Sequence, residues 1–269
     1  MRRNKMKKGK FIVITILILL LLHAVHSSIN FKILFNLQAL EIIVAGIVLT
    51  SIIGYSYDTL VITVKMIGKS FRYRIDYEGS IYKIHTYSIK IKKHGFLKLQ
   101  KEISLEDREF IRKSLELVSD FTKSEDIEDI LTKDIIARKT NLTKAYNVLK
   151  TISQTAPAFG LIGTLVGMIG LLAHIEDSVV LVNNMSSALI STLYGALVSN
   201  FIAIPLMGRI REMIDHQILE YQIIKEGVKQ IANNDTVRNV FNKMNSMLPL
   251  EKRLLYPQNQ NSEGVTSNE

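Results

Sequence analysis

Residues 151–175 read TISQTAPAFGLIGTLVGMIGLLAHI, and residues 178–208 read SVVLVNNMSSALISTLYGALVSNFIAIPLMG. Neither stretch holds an Asp, Glu, Lys or Arg, although 22% of the chain is charged. A helix needs about 20 mostly apolar residues to cross the hydrocarbon core of a bilayer, and a charge at that depth is costly. Both stretches exceed that length, so they read as spanning helices at 151–175 and 179–208. Two more uncharged runs, 11–31 and 42–57, extend the pattern; the second reaches spanning length once Ala39–Glu41 lies at the interface, giving a span at 39–57. The expected fold is all-α: a polytopic membrane protein with four transmembrane helices and a helical cytoplasmic domain.

The rest of the composition agrees. Of 269 residues, 47% are hydrophobic, a mixture that suits a chain divided between lipid and water. Only 4 Pro and 14 Gly exclude collagen-like and long low-complexity segments. The chain has no Cys, which removes disulfides, thiolate zinc sites, iron–sulfur clusters and cysteine nucleophiles together.

Orientation follows from Lys and Arg near the span ends. Residues 1–10 form a basic N-terminus with Arg2, Arg3, Lys5, Lys7, Lys8 and Lys10. The hairpin between the first two spans carries Lys32 alone, and that between the last two carries the acids Glu176 and Asp177. Basic residues crowd Lys65–Lys101 and return at Arg209 and Arg211. Both termini and the long connection are therefore expected in the cytoplasm, with two short hairpins outside. The formal charge of +9 is then the positive-inside surplus facing a lipid bilayer, with no nucleic acid as partner. Phe11–Leu22 behind a basic start also has the make-up of a signal peptide. Cleavage there would put the termini on opposite sides, so 11–31 is read as the first span.

Outside the spans the chain reads as a helical loop at 58–150, a helical tail at 209–255 and a polar, disordered end at 256–269. Ile81, Ile84, Ile91 and Leu99 recur at helical spacing. Ser104 with Asp107 has the capping-box pattern of a helix start, as does Ser124-Glu125-Asp126. Nothing breaks a helix from Ile127 to Gln154, so this helix is expected to run into the third span. Ile214, Ile218 and Tyr221 extend the fourth span into a stalk over Arg209–Ala232.

The last two spans carry small residues on one face: Gly160, Gly163, Gly167 and Gly170 in one, Ala188, Thr192, Gly195 and Ser199 in the other. Small residues let membrane helices approach closely, either within a subunit or against a partner. Thr164, Ser187, Ser191, Thr192, Ser199 and Asn200 add hydroxyls and an amide at membrane depth, where polar groups are often functional. Yet no carboxylate, Lys or Arg accompanies them, and hydroxyls do not titrate near neutral pH. If the chain moves ions, the titrating carboxylate comes from another chain.

The segments Thr155-Ala-Pro-Ala-Phe-Gly-Leu-Ile-Gly-Thr164-Leu-Val-Gly and Ala188-Leu-Ile-Ser-Thr192-Leu-Tyr-Gly-Ala-Leu-Val-Ser-Asn200, followed by Ile204-Pro205-Leu, resemble the third and fourth spans of the MotA/PomA stator subunits of the bacterial flagellar motor. The resemblance covers nearly the whole chain, to Met247-Leu-Pro249. It implies a homopentamer around two copies of a single-span MotB/PomB-like partner in the bacterial cytoplasmic membrane. The partner's Asp would supply the missing carboxylate, and its periplasmic domain would grip peptidoglycan. By the same resemblance Thr192, Thr164 and Ser191 line the ion path, and Pro157 and Pro205 serve conformational coupling. Gly160, Gly163, Gly167, Ala188, Gly195 and Ser199 would pack at the partner interface, and Pro157 could otherwise simply start a helical stretch.

Torque would leave through the loop to the rotor protein FliG, with Lys92, Gln100, Lys101 and Asp134 as the expected contacts. Here the sequence departs from the family, which often has Arg three residues before a Gly and Glu five residues after it. Lys92 stands three before Gly95, but Gln100 stands five after, so Lys98, Lys101 or Glu102 would take over. Sodium-driven members tend to carry Thr at the Thr164 position and a hydroxyl such as Ser191 beside the common Thr. The transported cation is therefore expected to be sodium, with a proton as the alternative, and no cofactor is implied. The competing function is a TolQ/ExbB-like energiser of envelope transport, although those relatives have three spans, or another non-flagellar ion-driven rotary motor. An enzyme is disfavoured: His23, His26, His85, His94, His174 and His216 are scattered without partners at metal-ligand spacing.

Overall fold

The computed structural model describes residues 13, 15–17, 19–20, 23, 35–74, 76–120, 123–173 and 178–257. The N-terminus at 1–10, the span expected at 11–31 apart from scattered helical positions between 13 and 23, His174, and residues 258–269 lie outside the described set. Among the described residues every regular element is helical. These are α1 (Leu37–Gly54), α2 (Tyr57–Arg72), α3 (Tyr77–His94), α4 (Phe96–Ser104), α5 (Glu109–Ser119), α6 (Ser124–Ala173), α7 (Ser178–Leu197), α8 (Ile204–Ala232) and α9 (Val237–Ser246). Among the described residues three helical runs are long and apolar enough to cross a membrane: Leu37–Gly54, Ser124–Ala173 and Leu181–Ala232. The chain divides into two compact units, Met1–Leu60 with Val148–Met207, and Val61–Asn147 with Gly208–Glu269.

In the first unit α1 starts where Asn36, in extended backbone, accepts the Ala39 N–H on its side-chain oxygen at 2.9 Å. Such a cap satisfies one of the orphan donors of a helix start. The helix ends at Gly54, because Tyr55 turns extended, so the run expected at 39–57 stops three residues early. α6 is one helix of 50 residues, opened by Ser124 with Glu125 and Asp126 in its first turn, where carboxylates complement the positive end of the helix dipole. It passes through Ile127–Gln154 without interruption and contains Pro157 in its interior, so Pro157 does not begin a helix. α7 passes through a π-helical turn, Val198–Ala203, into α8, and the Ile204 N–H bonds the Ser199 carbonyl five residues back.

Burial in this unit favours small residues. Ala39, Ala156, Ala188, Ala203, Ser191 and Ser199 are buried, while Leu161, Met168, Ile169, Leu172, Leu189 and Phe201 are exposed.

The second unit has a conventional apolar core. Ile81, Ile84 and Ile91 of α3, Leu99 and Ile103 of α4, Ile111 and Leu115 of α5, Ile127 and Leu131 of α6, Val228 of α8, and Phe241 and Met244 of α9 meet in one cluster. α3 and α4 are separated by Gly95, whose φ of 77° lies in the region that disfavours a side chain. Two expectations fail here. Ser104 closes α4 rather than capping a new helix, its hydroxyl donating to the Lys101 carbonyl at 2.9 Å, and α5 begins only at Glu109. Tyr256, expected at the head of a disordered end, packs edge-on against Phe241 and His85, with ring centroids 5.2 and 5.5 Å apart.

Candidate ion-path site

The α6–α7 seam is built on missing side chains. A Cβ on Gly160 would lie 2.9 Å from the Ser191 carbonyl oxygen and 3.2 Å from the Thr192 Cα. One on Gly195 would lie 2.5 Å from the Ala156 carbonyl oxygen and 3.1 Å from the Gly160 Cα. A Cβ on Gly163 would lie 2.6 Å from the Ser191 side chain, and one on Gly167 would lie 2.7 Å from the Ala188 Cβ. Only glycine permits helix backbones so close, and in lipid this packing drives association. The face expected to meet a partner (Gly160, Gly163, Gly167, Ala188, Gly195 and Ser199) is therefore used inside the chain, between α6 and α7. On another side of α6, Phe159 lays its ring over Gly46 of α1.

This close approach brings Thr164 and Thr192 together. Their hydroxyls hydrogen-bond each other, and Thr164 Oγ1 also lies 3.0 Å from the Ala188 carbonyl and 3.2 Å from the Gly160 carbonyl. Thr192 Oγ1 lies 3.3 Å from the same Gly160 oxygen. Four oxygens thus converge where Thr192 is exposed and Thr164 half-buried, among the exposed side chains of Leu161, Met168, Met185 and Leu189. Hard cations are held by such oxygen ligands once they shed water. All four oxygens are neutral, so a bound cation would keep its full charge in an apolar setting unless another chain brought an anion.

Ser191 does not join this pair. It is fully buried, pressed against Gly163, and donates to the Ser187 carbonyl of its own helix at 2.9 Å. Being adjacent in sequence to Thr192, it lies about 100° around the helix, which is why the two hydroxyls point to different sides. Pro157 and Pro205 sit apart from the threonines, one within α6 and one in the first turn of α8. A polar group the sequence reading passed over fixes the start of α1: the Asn36 N–H donates to Tyr194 Oη at 3.3 Å, and its side-chain oxygen accepts from Ser187 Oγ at 3.4 Å. An Asn just before an apolar run was the available signal.

The expected rotor contacts divide in two. Gln100 and Lys101 are exposed on α4, as is Lys98. Lys92 is instead tied to the turn after α8, donating to the Asn234 carbonyl at 2.7 Å, where Asn234 holds a φ of 56°. Asp134 pairs with Arg138 at 3.1 Å and Lys113 at 3.4 Å, and Arg138 reaches Glu109 at 2.6 Å. Glu106, also missed, is the polar centre of the second unit. Its buried carboxylate accepts from Lys83 Nζ at 2.6 Å, the Arg108 N–H at 3.0 Å and Tyr87 Oη at 3.2 Å. Burial opposes its ionisation, but the bond from Lys83 and the others prevail and hold the carboxyl below its ordinary range. No group of His, Asp or Glu able to hold a metal occurs among the described residues.

Residues 102–223, which include both threonines and the glycine seam, match the model of the MotA/TolQ/ExbB proton channel family. The matched stretch is a little under half of the chain. The chemotaxis protein PomA of Vibrio alginolyticus is 28% identical over 221 residues, covering 82% of this chain and 87% of the relative. Motility protein A of Treponema pallidum (strain Nichols) is 29% identical over 206 residues, covering 76% of this chain and 80% of the relative. In the structure of C. jejuni MotAB, a chain of 16% identity superposes with a TM-score of 0.82, covering 90% of this chain and 96% of that one. The fold is that of the matched MotAB chain, and the family matched over residues 102–223 is one of proton channels.

Proposed function

We propose that this chain is an ion-conducting, torque-generating stator subunit of a bacterial flagellar motor. The observation that carries the proposal is the Thr164–Thr192 oxygen cluster on an apolar exposed face, in spans that hold no charge of their own. The relatedness to PomA and to motility protein A supports the same reading. The chain crosses the cytoplasmic membrane four times with both termini inside, and five copies surround two copies of a single-span MotB/PomB-type partner. The partner's Asp brings the charge that the cluster lacks.

In this reading a cation enters, sheds water against the threonine oxygens and neutralises the partner's Asp. The neutral Asp loses its preference for the subunit it faces, and the ring steps around the partner. Release to the cytoplasm restores the charge. The electrical share of the driving force is about 2.3 kcal/mol per charge per 100 mV. Sodium is the favoured ion, because the cluster offers oxygen ligands where a proton would need only the carboxylate. The support from Ser191 falls away, since its hydroxyl is committed to Ser187. Torque leaves for FliG through the exposed side of α4, where Gln100, Lys98 and Lys101 stand.

Co-expression with a single-span partner in a host lacking its own stators is expected to restore swimming. Swimming restored by this chain without any partner, or never restored with one, would overturn the assignment.

A further inference from the structure

Pro157 lies in the interior of α6 and has no N–H. In an unbroken helix that N–H would bond the carbonyl four residues back, which is Ser153. A buried peptide carbonyl left without a donor is costly. Here the Ser153 carbonyl accepts from Ser199 Oγ of the neighbouring helical run at 2.7 Å, and Ser199 is buried. This bond is not the default for a serine on a helix. Ser191, eight residues earlier and also buried, donates back to Ser187 of its own helix. Ser199 donates across the seam instead, one turn beyond Gly195, whose missing side chain brings the two backbones together beside Pro157.

The same residue takes part in the second irregularity. Its carbonyl accepts from the Ile204 N–H five residues on, at the end of the π-helical turn Val198–Ala203, which stops two residues before Pro205. Widening by a π turn is one way a helix accommodates the donor that a proline removes and the room its ring demands. One side of Ser199 thus completes the break at Pro157, and its backbone forms part of the break before Pro205.

We infer that Ser199 is a positioning residue that couples the two proline sites: its hydroxyl replaces the hydrogen-bond donor missing at Pro157, so the shape of α6 there and the π turn before Pro205 are held as one unit. It touches neither the Thr164–Thr192 cluster nor any ion. Its consequence for torque rests on the proposed stator function, but the bond itself does not.

The test is a double-mutant cycle on the full-length chain in detergent, read as the thermal unfolding midpoint. Ser199→Ala is expected to lower the midpoint by about 2–4 °C when Pro157 is present. With Pro157→Ala the new N–H satisfies Ser153, and Ser199→Ala is expected to cause no shift. If Ser199→Ala alone does not accumulate, adding Pro157→Ala is expected to restore it. An equal drop in both backgrounds, or no restoration, would overturn the coupling and leave Ser199 as packing. In swimming cells Ser199→Ala should lower the maximal speed without moving the sodium concentration that gives half-maximal speed. A shift in that concentration would place Ser199 at the ion instead and contradict the inference. Failure of the parent to drive swimming would sink the proposed function and leave the thermal cycle readable.

Discussion

The two units lean on different kinds of buried residue. The unit that includes α3, α4, α5 and α9 hides Ile, Leu, Phe and Met and settles its buried charge at Glu106 with three donors. The unit that includes α1 and α7 hides many Gly, Ala and Ser residues beside a few large ones such as Ile43 and Ile190, and turns Leu161, Met168, Leu189 and Phe201 outward. The difference reflects the solvent each unit competes with. In water, removing a large apolar side chain from solvent is the main gain, roughly 25 cal/mol per Å². In lipid that gain vanishes, because a tail is as apolar as a leucine, and what remains is backbone contact and hydrogen bonding. The same packing logic then explains why the two threonine hydroxyls are where they are. Thr164 and Thr192 meet because Gly160 and Gly195 allow their helices to touch.

The comparison breaks most readily at Gly195. A leucine there must displace the Ala156 carbonyl and the Gly160 and Pro157 backbones, which have no flexible end to yield. Gly195→Leu is expected to cost at least ~3 kcal/mol and to abolish recovery of monodisperse full-length chain from detergent. Next in size is Glu106→Gln, which leaves Lys83 without its anion and weakens the bonds from Tyr87 and the Arg108 N–H. A loss of about 2–3 kcal/mol is expected in thermal or chemical unfolding.

Acidification tests the same residue with a defined sign. A carboxyl held below its ordinary range contributes stability above the unfolded value, and that stability disappears as the pH falls through the folded one. The parent should therefore lose stability more steeply than Glu106→Gln as the pH drops below about 4. Parallel pH profiles would show that Glu106 is not the group responsible. The smallest effect is expected at Gly68 in α2, where an added Cβ would meet nothing within 4 Å. Gly68→Ala should stabilise by about 0.5–1 kcal/mol, opposite in sign to any side chain added at Gly195.

Much of this was legible from residue order. Absence of charge marked three runs that are helical in the structure, and the spacing of Ile81, Ile84, Ile91 and Leu99 marked a face that is buried. Periodicity also placed Thr192 on a small-residue face, the resemblance put Thr164 near it, and the two hydroxyls do meet. What sequence could not give was the direction of each face. The glycine stripe is the same pattern whether it serves a neighbouring helix of one chain or a partner, and here it serves the former. Ser191 looked equivalent to Thr192 because adjacency in sequence hides the turn of the helix between them. Ser104 and Asp107 matched a capping pattern, yet the chain closes a helix there and reserves the next residues for Glu106 and its donors. Long-range partners such as Ser153 for Ser199 leave no local signal at all.

The central claim is that the Thr164–Thr192 pair, and not Ser191, meets the moving cation. The most direct test measures swimming speed in a stator-deleted host carrying this chain with its partner, as sodium is exchanged for potassium at fixed pH and ionic strength. The parent is expected to stop without sodium, Thr164→Ala and Thr192→Ala to require more sodium for half-maximal speed or to stop altogether, and Ser191→Ala to keep the parent's sodium dependence. Equal sodium dependence in all four, or a parent that ignores sodium and stops only when the proton gradient is collapsed, would contradict it.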